Sequence, residues 1–128
     1  MDISFVIVNW NTRDLLLQCL ASIHQTAADM DFEVWLVDNA SSDGSVGAAR
    51  TAYPNTHIIE NDRNLGFAAA NNLAFAKMRG RYAVLINTDA RLKAGAIKSL
   101  FVFMEETPEA SMSCGQLLNE DGSKQNSI

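Results

Sequence analysis

Tyr82-Ala83-Val84-Leu85-Ile86-Asn87-Thr88-Asp89 is a mostly apolar run that ends abruptly in an amide and a carboxylate, with Arg91 two residues on. A run of that length, rich in β-branched and aromatic residues, reads as a fully buried strand. Polar side chains directly after it stand at its carboxyl end, where ligands bind in open α/β sheets. Carboxylate and amide oxygens side by side suit a divalent cation carrying a diphosphate. A second apolar run, residues 32–37, ends the same way at Asp38-Asn39. Two strands therefore deliver an Asp to one sheet edge.

Working outward, residues 3–8 form another buried strand, broken by Asn9-Trp10-Asn11-Thr12. Leu16, Cys19, Leu20 and Ile23 recur at helical spacing, and Asn11 or Thr12 is placed to cap that helix. A polar loop, 38–44, precedes a short helix over 46–52, stopped by Pro54. A short strand spans 57–60. After a loop at 62–66, an Ala-rich helix is expected over 67–79, with Gly80 as its C-cap. The strand at 82–86, a helix at 96–105, a fifth strand at 110–118 and a turn at 119–122 complete the pattern. This alternation predicts an α/β fold: a mostly parallel sheet with helices on both faces, in a single domain spanning 1–128.

The chain has 128 residues, 48% of them hydrophobic, which is ordinary for a globular domain. A formal net charge of −5 argues against nucleic acid as partner, since that needs a basic face. It does not exclude a phosphorylated small molecule whose charge a metal offsets. Cys19 and Cys114 stand far apart, outside any CxxC pattern, and both read as small buried hydrophobes in a reducing, cytoplasmic compartment. No apolar run approaches the ~18 residues of a membrane span.

Every strand of the first four ends in Asn or Asp: Asn9 and Asn11, Asp38 and Asn39, Asn61 and Asp62, Asn87 and Asp89. Such residues favour turns and caps anywhere. They also hydrogen-bond ribose hydroxyls and base edges, and an Asp after the second strand is a common ribose reader. Neither G-x-G-x-x-G nor a P-loop follows the first strand, so dinucleotide binding and P-loop hydrolysis are disfavoured. A metal on Asp89 then carries most of the phosphate charge, with Arg63 either helping or merely solvated. Asn64-Leu65-Gly66-Phe67 and Asn71 form a second cluster, in which Gly66 permits a tight turn. Phe67 reads as packing on the sheet, and Trp10 as core before base-stacking platform. The run Ala68, Ala69, Ala70 lets its helix approach the sheet or a ligand closely.

Four segments together resemble the family-2 inverting glycosyltransferases of the GT-A fold, in their rhamnosyltransferase-like branch. They are Val6-Ile7-Val8-Asn9-Trp10-Asn11, Val37-Asp38-Asn39-Ala40-Ser41-Ser42-Asp43-Gly44-Ser45, Asn64-Leu65-Gly66-Phe67-Ala68-Ala69-Ala70-Asn71 and Leu85-Ile86-Asn87-Thr88-Asp89. The resemblance implies that Asn9 and Asn11 line the nucleotide pocket, that Asp38 contacts base or ribose, and that Asn39 and Asp43 shape its loop. Asn64, Gly66, Phe67 and Asn71 would border nucleotide and sugar. Asn87-Thr88-Asp89 would stand where the family has its Asp-x-Asp metal motif, holding Mg²⁺ or Mn²⁺ through Asp89. Here the first carboxylate is Asn87 and Thr88 replaces the frequent Pro, so metal affinity is expected to be weak.

The implied donor is a UDP- or TDP-linked sugar; the implied acceptor is a saccharide or lipid carrier at the inner membrane face. A non-catalytic nucleotide-sugar binding module is the rival reading. A nucleotidyltransferase and a phosphoacceptor receiver are weaker, because their loop signatures are missing. Nothing in the chain matches the family's catalytic base and acceptor segment: Glu105, Glu106 and Asp121 read as surface residues. The chain is therefore expected to be the nucleotide-binding half, lacking the segment that would cover one sheet flank and free to self-associate there. Residues 1–128 should accordingly transfer no sugar when incubated with labelled nucleotide sugars and acceptors. Turnover near 1 s⁻¹, typical of enzymes, would reveal a base within these residues.

Overall fold

The computed structural model describes residues 1–126. Its elements are β1 (Ile3–Asn9), α1 (Arg13–Thr26), β2 (Phe32–Asp38), α2 (Ser45–Ala52), β3 (His57–Glu60), α3 (Phe67–Phe75), β4 (Tyr82–Leu85) and α4 (Ala96–Glu106). The strands form one all-parallel sheet in the order β3-β2-β1-β4, confirming the α/β expectation. Asn9 pairs with Asp38 and Val6 with Leu85, so β1, β2 and β4 bring their carboxyl ends to one edge. Packing divides the chain into two compact units, Met1–Lys93 and Ala94–Ile128.

Strand order explains which face each helix covers. From β1 to β3 the chain moves steadily outward, and right-handed crossovers keep α1 and α2 on one face. From β3 to β4 it travels back past β2 and β1, so the same handedness sends α3 to the other face. The α1 face carries Phe5, Ile7, Val34 and Leu36 beneath Leu16, Cys19, Leu20 and Ile23, all buried. Phe32 meets Phe5 and His24 edge-on at ring-centroid distances of 5.6 and 5.4 Å. On the opposite face Val6 and Val37 pack on Ala70 and Ala74, with Val8, Trp35, Ile59 and Leu73 around them. Of the three-alanine run only Ala70 is buried; Ala68 and Ala69 face solvent. β4 is an edge strand rather than the fully buried one expected: none of its four residues is buried, and Leu85 is 49% exposed, because one side of the strand has no neighbour in the sheet.

Three further expectations are corrected. The helix beginning at Phe67 stops at Phe75 rather than 79, and its C-cap is Ala76, not Gly80. The reason is tertiary competition. The Arg79 amide donates to Glu33 Oε1 at 2.7 Å, and the Gly80 amide to Ser4 Oγ at 2.9 Å, instead of to helix carbonyls. The expected strand at 110–118 does not form; only Leu118 makes a bridge, to Lys124, across a turn closed by Gly122. Ser111, Ser113, Gly115 and Gln116 interrupt that run with residues poorly suited to a pleated surface. Cys114 accordingly is exposed rather than buried, whereas Cys19 is buried as read.

Glu33 anchors the sheet edge opposite the Asn/Asp cluster. Its side chain is 4% exposed. Ser4 Oγ donates to Oε1 at 2.7 Å, the Arg79 guanidinium lies 3.3 Å from Oε2 and His57 Nε2 lies 3.5 Å from it. Burial pushes the carboxyl up, but the hydrogen bonds from Arg79 and Ser4 outweigh it and bring it down to about 2. A folded value below the unfolded one stabilises the protein above the ordinary Glu range, and that stability is lost as pH falls towards about 2. Glu33→Gln should therefore cost roughly 3 kcal/mol at pH 7 and flatten the acid limb of stability against pH, measured by urea melts from pH 2 to 7. Gly80 packs against the same strand: a Cβ there would lie 2.4 Å from the Ser4 amide nitrogen. Gly80→Ala should destabilise by about 1–3 kcal/mol in the same melts, because backbone rather than a flexible side chain must give way.

Candidate functional site

The carboxyl edge gathers the residues singled out above, in two layers. Asn9, Asp38, Asn39 and Asn71 are buried; Asn11, Asn64, Gly66, Phe67, Asn87 and Asp89 are exposed. At the centre Asn9 Nδ2 donates to Asp38 Oδ1 at 2.8 Å and to Ser41 Oγ at 3.1 Å. The other Asp38 oxygen accepts the Ser41 amide at 2.8 Å. One oxygen of Asp38 thus holds the 38–44 loop directly, and the other does so through Asn9. Ser41 Oγ also accepts the Asn11 amide at 2.8 Å, and Asn11 Oδ1 accepts the Ser42 amide at 2.7 Å.

Asn39 organises a neighbouring loop rather than its own. Its Oδ1 accepts from Asn61 Nδ2 at 2.9 Å and from the Leu65 amide at 3.3 Å, and its Nδ2 donates to the Gly66 carbonyl at 3.3 Å. Asn64 Oδ1 accepts the Gly66 amide at 2.8 Å. Gly66 has φ 80° and ψ 175°, a region essentially reserved for glycine. Asn71 Nδ2 donates to the Phe67 carbonyl at 2.9 Å, while its buried Oδ1 has no partner. Asp43 accepts the Arg13 amide at 2.9 Å and the Ser45 amide at 3.0 Å, so one carboxylate serves the first residues of both α1 and α2. The Ser45 hydroxyl, in short contact with it, is the main cause holding the Asp43 carboxyl below its ordinary range.

Backbone strain concentrates along the same edge. Among the described residues, the non-glycine ones with positive φ are Asn11 at 52°, beside the 38–44 loop, and Ala40 at 62°, within it. Such conformations persist where surroundings over-determine them, commonly at ligand sites. A shallow, open depression of about 510 Å³ is lined by Asn11, Thr12, Arg13, Asp14, Leu15 and Asp43.

Trp10 and Phe67 depart from expectation: neither is core. They are 57% and 55% exposed, leaving two large aromatic faces at the carboxyl edge. Thr12 is the N-cap residue of α1, but its hydroxyl makes no capping bond. It lies instead 2.8 Å from Asn9 Oδ1 and 2.9 Å from Thr88 Oγ1. Thr12 and Ser41 are the site residues that sequence reasoning missed. Hydroxyls adjoining strand-end Asn residues were the available signal, but the partners that join one loop to another, Thr88 for Thr12 and Asn9 and Asn11 for Ser41, lie 30 or more positions away. Arg91 hydrogen-bonds Gln18, and Arg63 is exposed.

The end of β4 offers an amide oxygen, a hydroxyl and the exposed Asp89 carboxylate, all hard oxygen ligands suited to Mg²⁺ or Mn²⁺. Among the described residues no three His, Cys, Asp or Glu side chains gather as a metal cage. This set fits a cation bound through one carboxylate, with diphosphate and water completing its shell.

Comparison with known proteins agrees with this geometry. Residues 4–127 match the family described as Glycosyl transferase family 2. The poly(ribitol-phosphate) beta-glucosyltransferase of Bacillus spizizenii is 30% identical over 95% of this chain and 20% of its own length. The N-acetylglucosaminyl-diphospho-decaprenol L-rhamnosyltransferase of Mycobacterium tuberculosis is 29% identical over 92% of this chain and 42% of its own. The chain thus spans less than half the length of these relatives. Among solved structures, TarS 1–349 of S. aureus superposes with a TM-score of 0.76 at 20% identity, covering 84% of this chain and 33% of that one. The mannosyltransferase PcManGT of Pyrobaculum calidifontis, in complex with GDP-Man and Mn²⁺, gives 0.72 at 24% identity over 80% and 32%. A parallel sheet with this carboxyl edge, matched almost end to end by one family, has one assignment: the chain belongs to glycosyl transferase family 2.

Proposed function

We propose that this chain is the donor-binding part of an inverting glycosyltransferase, which moves a sugar from a nucleoside diphosphate to a saccharide or lipid-linked acceptor. The observation that carries the reading is the carboxyl edge itself: β1, β2 and β4 end there in amides and carboxylates, several joined in one hydrogen-bonded network. The buried Asn9, Asp38, Asn39 and Asn71 hold the loops. The exposed Asn11, Asn64, Gly66, Phe67 and Asn87 meet the donor, a UDP- or TDP-linked sugar. Trp10 and Phe67 offer rings for stacking. UDP is bound by TarS in a second crystal structure, and GDP-Man by the Pyrobaculum enzyme.

Mg²⁺ or Mn²⁺, when bound, supplies positive charge against the leaving diphosphate; Asp89, with Asn87 beside it, would hold it. A carboxylate base outside residues 1–128 would deprotonate the acceptor hydroxyl on the opposite side of the sugar. The open edge of β4, with half-exposed Leu85, is where further chain or a second copy would dock. No helix among the described residues is long and apolar enough to cross a membrane. A cytoplasmic enzyme resting on the inner membrane face is consistent with lipid-linked acceptors.

Titration calorimetry with UDP and TDP, in Mn²⁺ and in chelator, tests the reading. Binding should be tighter with metal, and Asp89→Ala should abolish only that gain. Asp38→Ala should weaken binding in both conditions by roughly 1.5–3 kcal/mol, because the loop it holds is released. Equal affinity with and without metal would remove the cation from Asp89.

A further inference from the structure

Asn9 is held between two elements that do not touch each other in sequence. Because a carboxylate only accepts, the Asn9 NH₂ must face Asp38, and its Oδ1 must face the other way, towards Thr12. Oδ1 only accepts, so the single Thr12 proton is spent on it. Thr12 Oγ1, 2.9 Å from Thr88 Oγ1, is left to accept, and Thr88 must donate. The result is a chain with one direction: Thr88 to Thr12 to Asn9 to Asp38. It starts inside the Asn87-Thr88-Asp89 turn and ends on the carboxylate that holds the 38–44 loop through the Ser41 amide. A second tie reaches the turn from α1, where Cys19 Sγ lies 3.6 Å from the Asn87 carbonyl oxygen.

We infer that Thr12 and Thr88 are positioning residues whose hydroxyls couple the 87–89 turn to the 38–44 loop, so that the two halves of the donor site are set together. The inference rests on the donor-site reading only for its consequence in binding. The coupling itself belongs to the free protein. Directional chains of hydrogen bonds polarise one another, so loss of the first donor is felt at the last acceptor. Ser preserves the hydroxyl at position 88, whereas Val preserves the shape and removes it.

The test has two arms on the full chain. In the free protein, amide hydrogen exchange at Ser41 should accelerate about threefold in Thr88→Val and stay at the parent rate in Thr88→Ser. Amides of the β1–β2 ladder should exchange at the parent rate in both. Thr12→Val combined with Thr88→Val should be no worse than Thr12→Val alone, since one chain is already cut. An unchanged Ser41 rate in Thr88→Val overturns the inference, and so does equal acceleration throughout the ladder. In the second arm, UDP affinity should fall about fivefold in Thr88→Val both in Mn²⁺ and in chelator, because the 38–44 loop is loosened in either condition, and recover in Thr88→Ser. A loss confined to Mn²⁺ would make Thr88 a cation ligand instead and overturn the coupling as the source of the binding effect. If the parent binds no UDP, the donor-site reading fails while the exchange arm still decides the coupling.

Discussion

The Asp38 carboxylate is buried at the end of β2, 2.8 Å from the Asn9 amide, and the carboxyl edge depends on the one-way character of that contact. An ionised carboxylate accepts and never donates, so it fixes how the neighbouring amide is turned. The turned amide fixes the Thr12 hydroxyl, and the hydroxyl fixes Thr88. On the other side the same carboxylate takes the Ser41 amide and sets the start of a loop containing two residues in the left-handed region or bordering on it. Neutral side chains here would have several equivalent arrangements. One buried charge selects a single one.

The sheet has a second buried carboxylate at its other end, and the two do different work. Glu33 ties β2 to β1 through Ser4 and to the chain leaving α3 through Arg79, while Ser4 in turn takes the Gly80 amide. That end is packed tightly enough to exclude a Cβ at Gly80. The opposite end is looser, with exposed aromatic rings, positive φ angles and polar loops. The reversal of strand order between β2 and β4 around β1 is what opens this end, since the helices diverge to opposite faces there.

Most of the scaffold was legible because parallel strands announce themselves as apolar runs, whether or not they end up buried. Residues 57–60 were read to the residue, and Tyr82–Leu85 to within one. The failures have different causes, and the first is a tertiary bond that no local pattern encodes. α3 stops early because Glu33, more than 40 positions away, takes the Arg79 amide. The 110–118 run had the length of a strand but lacked a partner and the side chains to keep one. The Asn and Asp of the site were legible as a set, because strand ends are predictable and polar residues there stand out. Their division into a buried layer and an exposed one was not. Nor was the part played by Thr12, which looks like an ordinary helix cap until position 88 is brought beside it.

The two ends also differ in what they allow to change. Because Glu33, Ser4 and Gly80 secure the sheet at the amino end, the loops at the other end are not needed to hold it together. Substitutions at Asn64, Phe67 or Trp10, all exposed, would alter what the edge meets without loosening the strands beneath. Asp43 is the exception at that edge. It satisfies the first turns of two helices at once, so a change there would release both together. A scaffold arranged this way leaves the exposed positions of the edge free to change on a framework that stays put, with Asp43 among the positions least free to follow.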